Sequence, residues 1–307
     1  YHQKDRGDLI YARRDEAGWH REIVDDNAAP APRVNGCCLA LDREDRPHLA
    51  YSDRDDSVVY ARADGQGWHF DTLGTTIGLP WFLSPALALD ADNDPYVAFT
   101  DFYSAALRLA YWQENGWQFE TVDDDEQGGW YPSLALGSDG QPQISYYLYT
   151  FIRDFEIDDL RYASRGDEGW EPETIDYNIR RGANAYLRLD QDDHPHIVYL
   201  DWDLGLRYAW RDDTGWHMEV VPTTGSPGAF NLLGLDEQGR LHITYVDTQA
   251  DALMVAYRGP SHWQSETVST EQGHCTGLAG ALDARGRAHI ACTGEDLLYI
   301  YAQTSHV

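Results

Sequence analysis

Lysine is almost missing from this sequence: of its 23 basic residues only Lys4 is one, against 52 acids and a formal net charge of −29. A field of that sign repels phosphate backbones, and no long basic run offsets it, so nucleic acid is not expected as a partner. Long apolar runs are also lacking. None approaches the roughly 18 residues that a membrane-spanning helix requires, although 42% hydrophobic and 13% aromatic residues are ample for a core. No stretch keeps a helical period, which argues against α/β and all-α classes. The chain begins at Tyr1 with neither an initiator methionine nor a signal-like apolar segment, which fits a mature exported chain, and a secreted, cell-surface or periplasmic location is expected.

What is present is a repeat. Segments reading L-A-L-D, turn, P-H-I-x-Y-x-D, loop, L-x-Y-A, turn and G-W-x-x-E-T-V recur at a spacing of roughly 46 residues. The first element stands at Leu39–Asp42, Leu87–Asp90, Leu134–Gly137, Leu187–Asp190, Leu233–Asp236 and Gly280–Asp283, and the last carries Trp19, Trp68, Trp117, Trp170, Trp216 and Trp263. Each run is short, alternates with period two, is rich in β-branched and aromatic residues, and is bounded by Asp, Gly, Asn or Pro. These are strands joined by turns. Four antiparallel strands per unit, repeated along the chain, predict an all-β, six-bladed β-propeller, because radial repetition hides most sheet edges.

The expected blades span residues 36–73, 84–122, 131–175, 184–221 and 230–268, with 277–302 closed by 8–24 as a composite sixth. Asp8–Ala12 and Asp296–Tyr299 both look like third strands, so a seven-bladed ring is the alternative. Asp15-Glu16-Ala17-Gly18-Trp19 and Asp64-Gly65-Gln66-Gly67-Trp68 look like shortened Asp-box turns, in which a Gly and a Trp follow an Asp. Over nearly its whole length the chain resembles β-propeller repeats of bacterial secreted proteins and, more distantly, sialidase-type propellers. The serine and the spacing of a full Asp box are missing, so the resemblance implies the fold and does not carry sialidase activity.

Repetition separates scaffold from site. His48, His196, His242 and His289 all open second strands and read as packing or turn residues; Glu22, Glu120, Glu173, Glu219 and Glu266 recur on outer strands and read as structural or solvated. Asp90, Asp92 and Asp94 have the look of a calcium loop, but without the glycine and distal glutamate of an EF-hand they read as a hairpin turn. Unusual residues gather in blades three and four. The connection between Tyr146 and Tyr162 carries Tyr147, Tyr149 and Arg153; Trp130 and Tyr131 stand before it; Asn178, Arg180 and Arg181 follow. Tyr186 and Arg188 occupy inner-strand places that hold Ala or Ser in most other copies. A buried, unpaired arginine is costly, so Arg188 should meet either an internal carboxylate or an anionic ligand. Trp81 and Trp202 extend the same aromatic platform, suited to sugar faces.

Cys37, Cys38, Cys275 and Cys292 come from opposite ends of the chain and suggest one or two disulfides at the closure, with a structural zinc using thiolates and His274 as the alternative. No cofactor is expected, with structural calcium or zinc left open. Together these features point to a secreted, monomeric, carbohydrate-active propeller acting on a uronate-containing polysaccharide, with β-elimination as the lyase reaction expected. There Arg188 neutralises the carboxylate and Tyr146, Tyr147 or Tyr186 moves the proton, with His2 or His274 as alternative bases. Hydrolysis by paired carboxylates, a lectin-like module without turnover, and an adhesion or scaffold domain are the competing readings.

Overall fold

The computed structural model describes residues 8–26, 37–75, 84–101, 103–125, 128–152, 155–166, 168–179, 183–223, 225–236, 239–258, 262–269, 277–282, 288–293 and 297–302. Among the described residues every regular element is a strand, and no helix is long and apolar enough to cross a membrane. β1 (Leu9–Asp15) and β2 (Gly18–Asp25) form a two-stranded sheet. Five four-stranded sheets follow, each ordered as in the sequence. They comprise β3 (Cys38–Leu41), β4 (Pro47–Ser52), β5 (Ser57–Asp64) and β6 (Gly67–Thr75); then β7 (Ala86–Leu89), β8 (Pro95–Thr100), β9 (Leu107–Gln113) and β10 (Gly116–Asp123). Next come β11 (Trp130–Leu136), β12 (Pro142–Ile152), β13 (Phe155–Gly166) and β14 (Gly169–Ile179); then β15 (Ala183–Leu189), β16 (Pro195–Asp201), β17 (Gly205–Asp212) and β18 (Gly215–Val220). The fifth is β19 (Pro227–Leu235), β20 (Leu241–Asp247), β21 (Ala252–Arg258) and β22 (Trp263–Ser269), and β23 (Gly277–Leu282), β24 (Ala288–Thr293) and β25 (Leu297–Ala302) make a three-stranded sheet.

Among the described residues β2 is hydrogen-bonded to β1 through the tight Glu16-Ala17 turn, and β25 is paired with β24.

The hairpins follow from side-chain chemistry. Asp42 Oδ1 accepts the backbone N–H groups of Glu44 and Arg46 at 2.9 and 2.8 Å. Asp90 does the same for Asp92 and Asp94 at 2.8 and 2.9 Å, which makes the calcium-like run a turn. Asp190 repeats the arrangement with Asp192 and His194. Third residues of these turns, Asp45, Asn93 and Asp193, have φ of 60°, 68° and 62°, a region Asn and Asp tolerate. Asp53, Asp101, Asp201 and Asp247 cap the turns between second and third strands in the same way. Much of the acidity is thus consumed in turn formation. Before four of the six outer tryptophans stands a glycine with φ of 118°, 133°, 123° and 119°, at Gly18, Gly67, Gly169 and Gly215, a conformation open only to glycine.

The chain divides into two compact units, Tyr1–Tyr149 with Tyr162–Glu173, and Thr150–Arg161 with Thr174–Val307. In the first, the inner strands β3, β7 and β11 are neighbours, and in the second so are β15, β19 and β23. The cores lie between successive sheets: Leu9 and Val24 meet Leu49 and Val59, Val58 and Tyr60 meet Val97 and Phe99, and Leu107 and Val122 meet Leu134 and Ile144. In the second unit Val198, Leu206 and Val221 meet Leu233, Ile243 and Tyr245.

Three junctions between successive sheets carry a latch. A fully buried tyrosine on a second strand donates to an aspartate toward the end of the preceding outer strand: Tyr51 to Asp25 at 2.6 Å, Tyr146 to Asp123 at 2.5 Å, and Tyr199 to Asp176 at 2.7 Å. Where the tyrosine is Phe99 the aspartate is Gly74, at which a Cβ would lie 2.9 Å from the Phe99 ring. In the sheet that precedes Tyr245, Pro222 stands at the repeat position of the aspartate. The opening histidines are equally structural. His48 and His196 sit 2.6 and 2.5 Å from the hydroxyls of Tyr60 and Tyr208 through Nδ1 and face Asp42 and Asp190 through Nε2. Burial holds both imidazoles below their ordinary pKa.

Two outcomes follow from the latches and turns. Tyr51→Phe and Asp25→Gly should each cost about 1–2 kcal/mol in urea unfolding, while the double variant loses less than their sum because the Phe99–Gly74 junction already uses that combination. Strict additivity would show that the bond contributes nothing. Asp42, whose burial is outweighed by the hydrogen bonds it accepts from Arg46, Glu44 and His48, has its pKa lowered to about 2. Its stabilisation is complete above the unfolded-state value near 4 and fades as pH falls toward 2. Asp42→Asn should therefore unfold at lower urea than native protein at pH 7, with the gap narrowing steadily below pH 4; a gap unchanged at pH 3 would refute the assignment.

Candidate functional site

On the outer strands the repeat leaves a carboxylate, an arginine and an indole side by side. Glu120 lies on β10, Arg165 near the end of β13 and Trp170 at the start of β14, all within the first unit. Glu120 Oε1 accepts from the Tyr111 hydroxyl at 3.0 Å and from Arg165 Nη2 at 2.7 Å, and its Oε2 accepts the Trp170 indole N–H at 2.9 Å. The Arg165 guanidinium lies 5.9 Å from the centroid of the Tyr111 ring, which stacks on Tyr96 at 5.6 Å. Burial, reinforced by the hydrogen bond to Glu120, raises the Tyr111 hydroxyl above its ordinary value.

These residues wall a groove of about 580 Å³ with Asp123, Asp124 and Pro172. That volume falls within the ~300–1,000 Å³ of small-molecule sites. The side chains of Glu120 and Arg165 are 23% and 33% exposed, so both are held in place yet reachable. One Arg165 nitrogen is spent on Glu120, leaving most of its five N–H donors for a ligand, and a carboxylate has about four lone-pair positions, of which three are used. The arrangement therefore offers donors, an acceptor and an aromatic face within one concavity. As to metals, Asp190, Asp192 and His194 place ligand atoms within 4.8 Å of one another, but Asp190 is already committed to the backbone of its hairpin.

The residues singled out from sequence are distributed differently. Tyr146 is fully buried and bound to Asp123, a position closed to a polymer. Tyr147 is 1% exposed, pairs across strands with Trp130 and meets Tyr131 edge-on at 6.4 Å, so these three aromatics do come together, but as packing. Tyr186 and Arg188 are neighbours on β15. Arg188 Nη2 donates to the Tyr186 hydroxyl at 2.6 Å, and its guanidinium lies 4.5 Å from that ring. Among the described residues no carboxylate pairs with Arg188, so the expected internal ion pair is absent there. Trp202 stands 55% exposed in the turn after β16 and Tyr177, on β14, is 66% exposed. His2, His274, Arg153, Arg180, Arg181, Trp81 and Cys275 lie outside the described residues, as do the side chains of Asn178, Tyr149 and Cys292. Cys37 and Cys38 are half-buried, and the Cys38 thiol donates to the Pro85 carbonyl at 2.9 Å.

Glu120 and Trp170 were set aside in the sequence as repeated scaffold, and Arg165 drew no attention. A usable signal existed: arginine at this third-strand position is not universal, since the equivalent places in two other sheets hold Ala63 and Trp112.

No protein-family model and no curated protein matches the sequence. Solved structures do. A variant of the Aleuria aurantia lectin in complex with Fucα1-6GlcNAc aligns at TM-score 0.57 and 11% identity, over 90% of this chain and 97% of its own. A Hadza microbial sialidase aligns at 0.58 and 13%, over 92% and 67%. An ulvan lyase bound to a GlcA(1-4)Rha3S saccharide aligns at 0.57 and 14%, over 90% and 78%. At these identities the likeness establishes the fold: an all-β architecture shared with β-propeller lectins and sialidases.

The Glu120 network makes its own prediction. In Glu120→Gln the Tyr111 hydroxyl should titrate at a lower pH than in native protein, because the hydrogen bond and charge of Glu120 add to burial in raising it. Titration followed by NMR of ¹³Cζ-labelled tyrosine measures this, and an unmoved Tyr111 resonance would show that the bond is not made in solution.

Proposed function

We propose that this protein is a glycan-binding propeller that holds a neutral sugar in the groove walled by Glu120, Arg165 and Trp170. The observation that carries the reading is the groove itself, where a partly exposed guanidinium and carboxylate meet an indole in a concavity of about 580 Å³. Sugar hydroxyls pair with such donors and acceptors, and the apolar face of a pyranose or the methyl group of a 6-deoxy sugar packs on an aromatic ring. The fold shared with a fucoside-bound lectin supports this class.

Charge selects among sugars. The groove sets Glu120, Asp123 and Asp124 against Arg165 alone, and the chain as a whole carries −29. A uronate would add a further negative charge to a negative concavity, and a polyuronate meets the same long-range repulsion as nucleic acid. The preferred ligand is therefore neutral, in contrast to the acidic polymer expected from the arginines in the sequence. A lyase acting on a uronate polymer is the second reading. It draws on the half-buried Arg188, which lacks a carboxylate among the described residues, and on the fold shared with the ulvan lyase. Export to a secreted, cell-surface or periplasmic location belongs to the proposal too.

Calorimetric titration with methyl α-fucoside and other neutral methyl glycosides should give binding that weakens at least tenfold, about 1.4 kcal/mol, in Trp170→Ala and Arg165→Ala. A methyl glucuronide should bind more weakly than its neutral counterpart. The absence of any saccharide binding by array and calorimetry would sink the proposal. Unsaturated products released from a uronate polymer by native protein, and lost in Arg188→Ala, would replace it with the lyase.

A further inference from the structure

The carboxylate, arginine and indole of the groove recur in the second unit, in the same positions of the repeat. Glu219 lies on β18 opposite Tyr208, as Glu120 lies on β10 opposite Leu109. Arg258 ends β21 directly across from Trp263, which opens β22. Trp263 donates its indole N–H to Glu219 Oε1 at 3.1 Å, and Arg258 Nε stands 3.5 Å from the same oxygen. The Arg258 guanidinium lies 5.3 Å from the centroid of the Trp210 ring, the aromatic that takes the place of Tyr111.

Two comparisons inside the molecule show that the arginine is not a folding requirement. At the repeat positions equivalent to Arg165 and Arg258, the sheet of β3–β6 has Ala63 and the sheet of β7–β10 has Trp112. In those sheets the outer indoles are filled in by aromatics: Trp68 meets Tyr11 edge-on at 5.8 Å, and Trp117 meets Tyr60 and Trp112 at 5.1 and 5.6 Å. The junction closes with or without a cation. At the second cluster Arg258 is 44% and Glu219 29% exposed, so the polar pair is reachable from solvent.

The structure assigns to Glu219, Arg258 and Trp263 a second saccharide site for the same neutral class of sugar, so that one chain carries more than one. The assignment rests on the reading of the first groove. Arg258 supplies hydroxyl-directed donors, the free lone pairs of Glu219 accept from a sugar hydroxyl, and the indole of Trp263 with Trp210 supplies apolar faces. Two sites on one chain raise avidity for a surface dense in the sugar without any change in intrinsic affinity.

Titration of the full chain with methyl α-fucoside tests this by stoichiometry. Native protein should bind at least two molecules per chain. Trp263→Phe, which keeps an aromatic ring for packing but removes the N–H, and Arg258→Ala should each remove one site and leave the affinity of the rest unchanged. Thermal melts check that each variant is folded. Trp170→Phe should remove a different site, and Trp170→Phe combined with Trp263→Phe should remove both. An unchanged stoichiometry in folded Trp263→Phe and Arg258→Ala, with binding still reduced by Trp170→Phe, overturns the second site and leaves the first. No uptake of methyl α-fucoside by native protein overturns both.

Discussion

A sheet of four short strands has two faces and can bury neither by itself, so the packing of one sheet on the next is the interaction on which everything else here depends. The cores are formed there and not within a sheet: Leu107 and Val122 find their partners in Leu134 and Ile144 of the following sheet. The buried tyrosines add direction to this apolar contact. A phenol in the core must hydrogen-bond, and the aspartate toward the end of the preceding outer strand supplies the acceptor, as Tyr51 with Asp25 and Tyr199 with Asp176 show. Phe99 opposite Gly74 is the apolar solution to the same requirement.

The groove is what remains of that junction at its outer end. Near the inner strands side chains are small and apolar and the sheets close on each other, whereas at the outer strands polar residues take over and the gap is filled by large ones. Aromatic filling closes it around Trp117. An arginine and a glutamate keep it open and wet at Trp170. The exchange of one residue type at one repeat position thus converts a packing junction into a recognition site, with no change in the strands that carry it. Because the surrounding acids are bound into hairpin turns, the field around the groove is a consequence of how this chain makes its turns, and it biases the groove toward uncharged ligands.

Much of the architecture was legible beforehand because it is local. Period-two runs bounded by Asp, Asn and Gly marked the strands, and the repeated histidines were recognised as scaffold, which their bonds to Tyr60 and Tyr208 explain. The pairing of β1 with β2 is local too, being closed by the tight turn between them. Burial was less legible than the strands. Tyr146 and Tyr147 looked exceptional by composition, but their place on a second strand puts both in the core. Glu120 and Trp170 looked ordinary because they recur, and recurrence hides a site that is itself repeated.

The amino-acid sequence alone determined the class of fold, the strands, the turn chemistry and the sign of the electrostatic field, since each of these arises from residues close together in the chain or from a sum over all of them. Which side chains meet was decided only in three dimensions. Glu120 and Arg165 are 45 residues apart and touch at 2.7 Å, and Trp263 reaches Glu219 across 44. Contacts of that separation depend on how one sheet seats on another, and that seating is set by the whole interlocking core, which no single stretch of sequence encodes.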